Sequence, residues 1–153
     1  MEVYAAIAAG LFGLFMFLIT KYLERQSVTK ALLAEIQRLM VVIPEHLGHW
    51  KKWMDKGETQ KHPLIPFSCD VYAKHIENLG LVDRKYVGSI VKFYGYLKFV
   101  NSLQEAQAKE RELNENNSES FKYEYNASLE RLVKDFGNAF NNAFKDYGLL
   151  KEG

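Results

Sequence analysis

Among the side chains of this sequence that ligate metals, Glu45, His46 and His49 stand closest together. On a helix His46 and His49 fall one turn apart, and Glu45 and His49 four residues apart, so pairs of them share a face. Imidazole and carboxylate suit zinc or iron. The order E-H-x-x-H is not the zinc-protease order, H-E-x-x-H, which sets two histidines four apart with a general-base Glu beside the first. A di-iron bundle needs Glu-x-x-His on two helices, and the residue three after Glu45 is Gly48. His62 and His75 lie apart from this group. The expectation at 45–49 is a polar helix surface; a metal-binding or enzymatic domain built on Glu45, His46 and His49 is the alternative.

Cys69 is the one cysteine, so an internal disulfide is excluded. It precedes Asp70 near an expected helix start, where a helix N-terminus lowers a thiol's pKa. No His is close in sequence, and His75 is about two turns on, too far along one helix to act as its base. A structural thiol is expected. No Gly-rich phosphate loop, nucleophile elbow or CxxC pair occurs. Catalytic, cofactor-binding and metal-ligating residues are therefore expected to be absent. Asn116-Asn117-Ser118 and Asn126-Ala127-Ser128 match the glycosylation acceptor pattern, which matters only in a secretory lumen.

Two aromatic groups remain. Trp50 and Trp53, with Leu47 and Met54, adjoin Lys51, Lys52 and Lys56. Such a patch fits packing in a bundle, a partner surface, or an interfacial helix on an anionic leaflet; bundle packing is favoured. Phe93, Tyr94, Tyr96 and Phe99 form a second aromatic group, expected in the core.

The elements that must position these residues begin with the N-terminus. Residues 3–19, VYAAIAAGLFGLFMFLI, carry no charge and are closed by Thr20, Lys21 and Tyr22. At ~1.5 Å per residue, 3–22 spans roughly 30 Å, the thickness of a bilayer core. A cleaved signal peptide would need a basic region before the stretch and small residues after it; only Met1 and Glu2 precede it, and ITKYLERQ follows. Residues 1–22 are predicted to be a transmembrane anchor in contact with lipid through 3–22. Lys21, Arg25, Lys30 and Arg38 follow it, which predicts an N-terminus outside and a cytoplasmic domain over 23–153. The opposite topology would give an envelope-facing domain. Ala5, Ala9 and Gly13 recur every four residues, a spacing through which two membrane helices can pair.

The remaining ~130 residues suffice for one domain. With 20 basic and 19 acidic side chains the charge is near balance, which argues against nucleic acid as a partner. Ten Phe and nine Tyr predict a packed core.

The periodicity predicts an all-α domain. Val28, Leu32, Leu33, Ile36, Leu39, Met40 and Ile43 form one apolar stripe, with Lys30, Glu35 and Arg38 opposite. Pro44 should end that helix and open a short second one, closing near Gly57. Ser68 should cap a short third helix stopped by Gly80. Asp83 should cap a long fourth, to about Leu113, whose polar end, QEAQAKEREL, is expected in solvent. A fifth should run unbroken from Ser120 to Tyr147 and stop at Gly148. The expected architecture is a small antiparallel bundle of three long and two short helices after the transmembrane helix. The expected function is non-catalytic: a membrane-anchored interaction or scaffold module that binds a protein partner or itself.

Overall fold

The computed structural model describes residues 2–59, 61–112 and 119–150. Five α-helices follow one another: α1 Glu2–Asp55, α2 Asp70–His75, α3 Arg84–Glu112, α4 Glu119–Phe136 and α5 Asn141–Asp146. A 3₁₀ turn, Ile76–Leu81, joins α2 to the segment before α3. Three helices are long and two short, and no strand occurs among the described residues.

The predicted break at Pro44 does not occur, and the expected second helix is the end of α1. A proline inside a helix removes one hydrogen bond and crowds the preceding turn, at about 3 kcal/mol. Here the ring faces solvent, while Leu39, Ile43 and Trp50 on either side of it are buried. Those three side chains gain more from burial, at about 1.5–3 kcal/mol each, than the proline loses. The helix ends where the left-handed Gly57 (φ 66°) lets the Glu58 amide donate to the Trp53 carbonyl (2.8 Å) and the Gly57 amide to that of Met54 (3.0 Å). Gly148 (φ 63°) closes α5 by the same pair of bonds, to Phe144 and Lys145.

Gly80 is not a stop of this kind; it lies inside the 3₁₀ turn. Ser68 does not cap α2 either, since its hydroxyl donates to the Asp70 carboxylate. The last predicted helix divides into α4 and α5 at 137–140. A Cβ on Gly137 would meet the Val133 carbonyl oxygen at 2.5 Å, so the tightened turn depends on glycine. Asp83 does cap α3, accepting from the Lys85 amide at 3.0 Å. Leu113, its predicted end, lies outside the described residues.

The contacts fix the directions of the helices. The Asp83 amide, just before α3, donates to Thr29 of α1, and Tyr94 donates to Glu35; further on, His46 and Gln104 both meet Tyr125. Residue numbers rise together, so α1 and α3 run the same way. Along α4 and α5 they fall: Tyr125 lies beside His46, Phe136 beside Phe93, and Asp146 beside Tyr86. The α4–α5 arm is thus antiparallel to both. Two parallel helices need a long return, and residues 56–83 supply it. Leu64 and Phe67 of that return are buried in the core.

The polar end of α3 helps to hold the return in place. Asn101 pairs twice with the backbone of Phe67, and the Gln107 carbonyl oxygen accepts from the Leu64 amide. Gln104 and Gln107 are completely buried, contrary to the expectation that this end stands in solvent.

The apolar first part of α1 takes no part in this core. It is long and apolar enough to cross a membrane, and none of it is buried in the fold.

Candidate interaction surface

Glu45, His46 and His49 do come together, lining a surface concavity of about 210 Å³ with Val42. The His46 ring, however, is committed to the fold. Its Nε2 pairs with the Tyr125 hydroxyl at 2.9 Å, which also accepts from Gln104 at 2.8 Å. Trp53, Phe67 and Tyr125 meet the ring edge to face. Burial, helped by the neighbouring His49, holds the imidazole below its ordinary value of 6.5. Among the described residues, no three His, Cys, Asp or Glu side chains are grouped to hold a metal ion.

Cys69 sits beside a buried knot centred on a residue expected on the outer face of its helix. Glu35 is only 6% exposed. One of its oxygens accepts from the Val71 amide (2.9 Å), the other from the Tyr72 amide (3.1 Å) and the Tyr94 hydroxyl (2.5 Å). The carboxylate therefore caps α2 from another element of the fold and satisfies amides that Ser68 leaves free. Tyr72 and Tyr94 stack at 4.0 Å beside it. Burial, then the carboxylates of Glu35 and Asp70, push the Cys69 thiol up, the reverse of the lowering a bare helix terminus would give. Burial and the bond to Glu35 likewise raise the Tyr94 phenol.

The two tryptophans divide. Trp50 is fully buried, packed against Phe121 and Tyr125. Trp53 is half-buried and stacks on His62 at 4.1 Å. Along a continuous helix Trp50 lies about 40 Å beyond Tyr22. With Trp50 enclosed and Trp53 half-buried, neither indole forms an exposed apolar face.

The second aromatic group divides as well, and here a surface opens. Phe93 and Tyr94 are buried, Tyr96 is half-buried, and Phe99 is 44% exposed. Lys92, Gly95, Tyr96 and Phe99 of α3 line a concavity of about 440 Å³ with Arg131 of α4. A second, of about 370 Å³, adjoins it through the shared Phe99 and Arg131 and continues past Tyr123, Glu124, Ala127 and Ser128. Together they make a shallow groove along the α3–α4 seam, with aromatic walls and two cations. Arg131 donates to the Tyr96 hydroxyl at 3.4 Å. Neither Lys92 nor Arg131 has an acidic partner among the described residues. Elsewhere on the surface Lys85 and Tyr86 bind Asp146, which ties α5 to α3 and holds the Asp146 carboxyl below its usual range.

Sequence reasoning placed Phe99 and Tyr96 in the core and did not name Lys92, Gly95, Tyr123 or Arg131 as part of a surface. The one local signal is a glycine inside an aromatic helical run, FYGY, where a helix interior disfavours it. Of the pairing positions, Ala9 is exposed, nothing lies within 4 Å of a Cβ placed on Gly13, and the side chain of Ala5 lies outside the described residues. The acceptor site at Asn126 sits within α4, its amide donating to Glu130; Asn116 to Ser118 lie outside the described residues.

Comparison with protein-family models, with curated proteins and with solved structures gives no match.

Proposed function

We propose that this chain is a single-pass membrane protein whose helical domain serves as a non-catalytic module, presenting a surface to a protein partner at the cytoplasmic face. The observation that carries the reading is the exposed apolar start of α1. Phe12, Phe15, Phe17, Leu11, Leu14 and Leu18 are each more than half exposed in the fold. Such a contiguous apolar surface costs about 25 cal/mol per Å² in water, and a bilayer removes that cost. Lys21, Arg25, Lys30 and Arg38 after the stretch support a cytoplasmic domain.

The interior supports a non-catalytic role. Its polar side chains serve the fold: Glu35 caps α2, His46 and Gln104 meet Tyr125, and Asn101 and Gln107 hold the return segment. Two cations without an acidic partner among the described residues, and exposed aromatics, instead line an open groove.

Ultracentrifugation of the full-length chain tests the anchor. It should pellet with membranes, resist alkaline carbonate, and enter the supernatant only with detergent; a monodisperse species in the supernatant without detergent would overturn the reading. A reporter fused after Gly153 tests the side, and activity typical of the envelope would reverse the topology. Pairing through Ala5, Ala9 and Gly13 predicts weaker crosslinking in membranes for Gly13→Ile, and unchanged crosslinking would remove it.

A further inference from the structure

We infer that the α3–α4 groove is the docking site for an acidic, amphipathic helical segment of a partner protein; this rests on the interaction-module reading above and names its partner class. Three observations converge. First, the lining includes exposed aromatic rings, Phe99 at 44% and Tyr123 at 76%, beside the half-buried Tyr96. The groove follows about two turns of each helix, Lys92 to Phe99 and Tyr123 to Arg131, which suits apolar anchors at i, i+3/i+4 and i+7 of a docked helix.

Second, the charge of one of the two concavities is one-sided, and the adjoining one adds a single carboxylate, Glu124. Lys92 and Arg131 flank the 440 Å³ concavity without a carboxylate partner among the described residues. Arginine's planar fork matches a carboxylate, and the Tyr96 hydroxyl already orients it. A second copy of this chain is the poorer occupant. A two-fold interface sets the same patch against itself, and that patch carries two cations to one carboxylate, Glu124, so one positive charge is left over on each side.

Third, Gly95 lies in the groove lining, within α3, and nothing in the fold calls for a glycine there. A Cβ at Gly95 would meet nothing within 4 Å, and its φ is not positive. Glycine at a helix-interior site costs about 0.5–1 kcal/mol relative to alanine. The absent side chain leaves room for a partner's backbone to approach, which the isolated domain does not use.

The test places the full-length chain in phosphatidylcholine nanodiscs and titrates a fluorescein-labelled, 18-residue helical peptide with a Leu/Phe stripe flanked by glutamates. A twin peptide carries lysines in their place, and empty nanodiscs give the background. The glutamate peptide should bind about tenfold or more tighter, as expected of two charge-assisted contacts near 1.4 kcal/mol in sum. Lys92→Glu combined with Arg131→Glu should reverse the preference, and Phe99→Ala should weaken binding about fivefold. These positions are outside the sealed core, and near-UV circular dichroism checks the fold; if Phe99→Ala unfolds, the charge reversal decides. Equal binding of both peptides, or a preference that survives charge reversal, overturns the proposal. So does a dimer of the chain alone that Phe99→Asp dissolves, because the groove would then hold a second copy. Co-elution of the chain with nanodisc lipid reads the anchor separately: with co-elution but no peptide preference, only the groove assignment falls.

Discussion

The two parts of α1 are built from similar apolar residues and fold to opposite ends. From Ala6 to Ile19 the helix is apolar on every side and none of its side chains is buried; from Val28 onward the apolar residues collapse to a stripe that seals the core. What separates them is arrangement rather than hydrophobicity. A stripe bordered by Lys30, Ala34 and Arg38 buries one face and wets the other. A helix without a polar face has no orientation that satisfies water, so only a surrounding apolar medium suits it. On the proposed anchor reading the same rod links two different solvents, and substitutions in its two parts should separate cleanly.

The largest effect should come from the second part. Trp50→Ala removes a fully buried indole and should lower the domain's stability by about 3–5 kcal/mol, read by thermal unfolding in detergent, while membrane pelleting stays unchanged. Leu14→Arg should do the converse: a cost of about 2.5–3.5 kcal/mol on insertion, seen as release by carbonate, with the domain's melting temperature unmoved. If both substitutions shift both readouts, the contrast between the parts is wrong. Glu35→Ala would strand the Val71 and Tyr72 amides and the Tyr94 hydroxyl, for about 2–3 kcal/mol. Faster amide exchange across α2 should accompany it, and unaltered exchange would deny Glu35 its capping role. Gly148→Ala should cost about 1 kcal/mol through its left-handed backbone, whereas Gly95→Ala should leave stability unchanged or raise it.

Acidification should give the smallest and most graded effect. The folded state holds the His46 pKa below 6.5, so the unfolded chain binds the proton more readily. The contribution of neutral His46 is complete above the unfolded value and is lost as pH falls from there toward the lowered folded value. The melting temperature should therefore decline from pH 7.5 to 5.5, and His46→Gln should flatten that decline; an equal decline in the variant would assign it to other groups.

Much of the fold was legible because helices declare themselves locally. The stripe from Val28 to Ile43, the Asp83 cap and the Gly57 and Gly148 stops all follow from spacing and backbone freedom. The error at Pro44 came from letting a local rule outweigh a visible pattern, since Ile43, Leu47, Trp50 and Met54 continue the stripe straight across it. Glu35 is a different kind of miss. Its partners lie 36 and 37 residues away at Val71 and Tyr72, so it reads as one more charge on a solvated face. Gln104 and Gln107 were misplaced for the same reason, because their partners are Tyr125 and the backbone of the return segment. The groove was not anticipated, since Tyr96 and Phe99 were assigned to the core. FYGY and Phe99 lie together in the sequence, whereas Arg131 and Tyr123 join them only when α4 lies in register beside α3.

The amino-acid order by itself set the helices, their apolar faces and the greasy rod at the start of α1, because side-chain periodicity and backbone strain act within a few turns of one chain. Tertiary structure alone decided that α1 and α3 run together, that a glutamate and two glutamines go inside, and that two cations and three aromatics share a seam. Those outcomes depend on where the return through 56–83 brings the chain, and burying Glu35, Gln104 and Gln107 is offset by hydrogen bonds to partners distant in sequence.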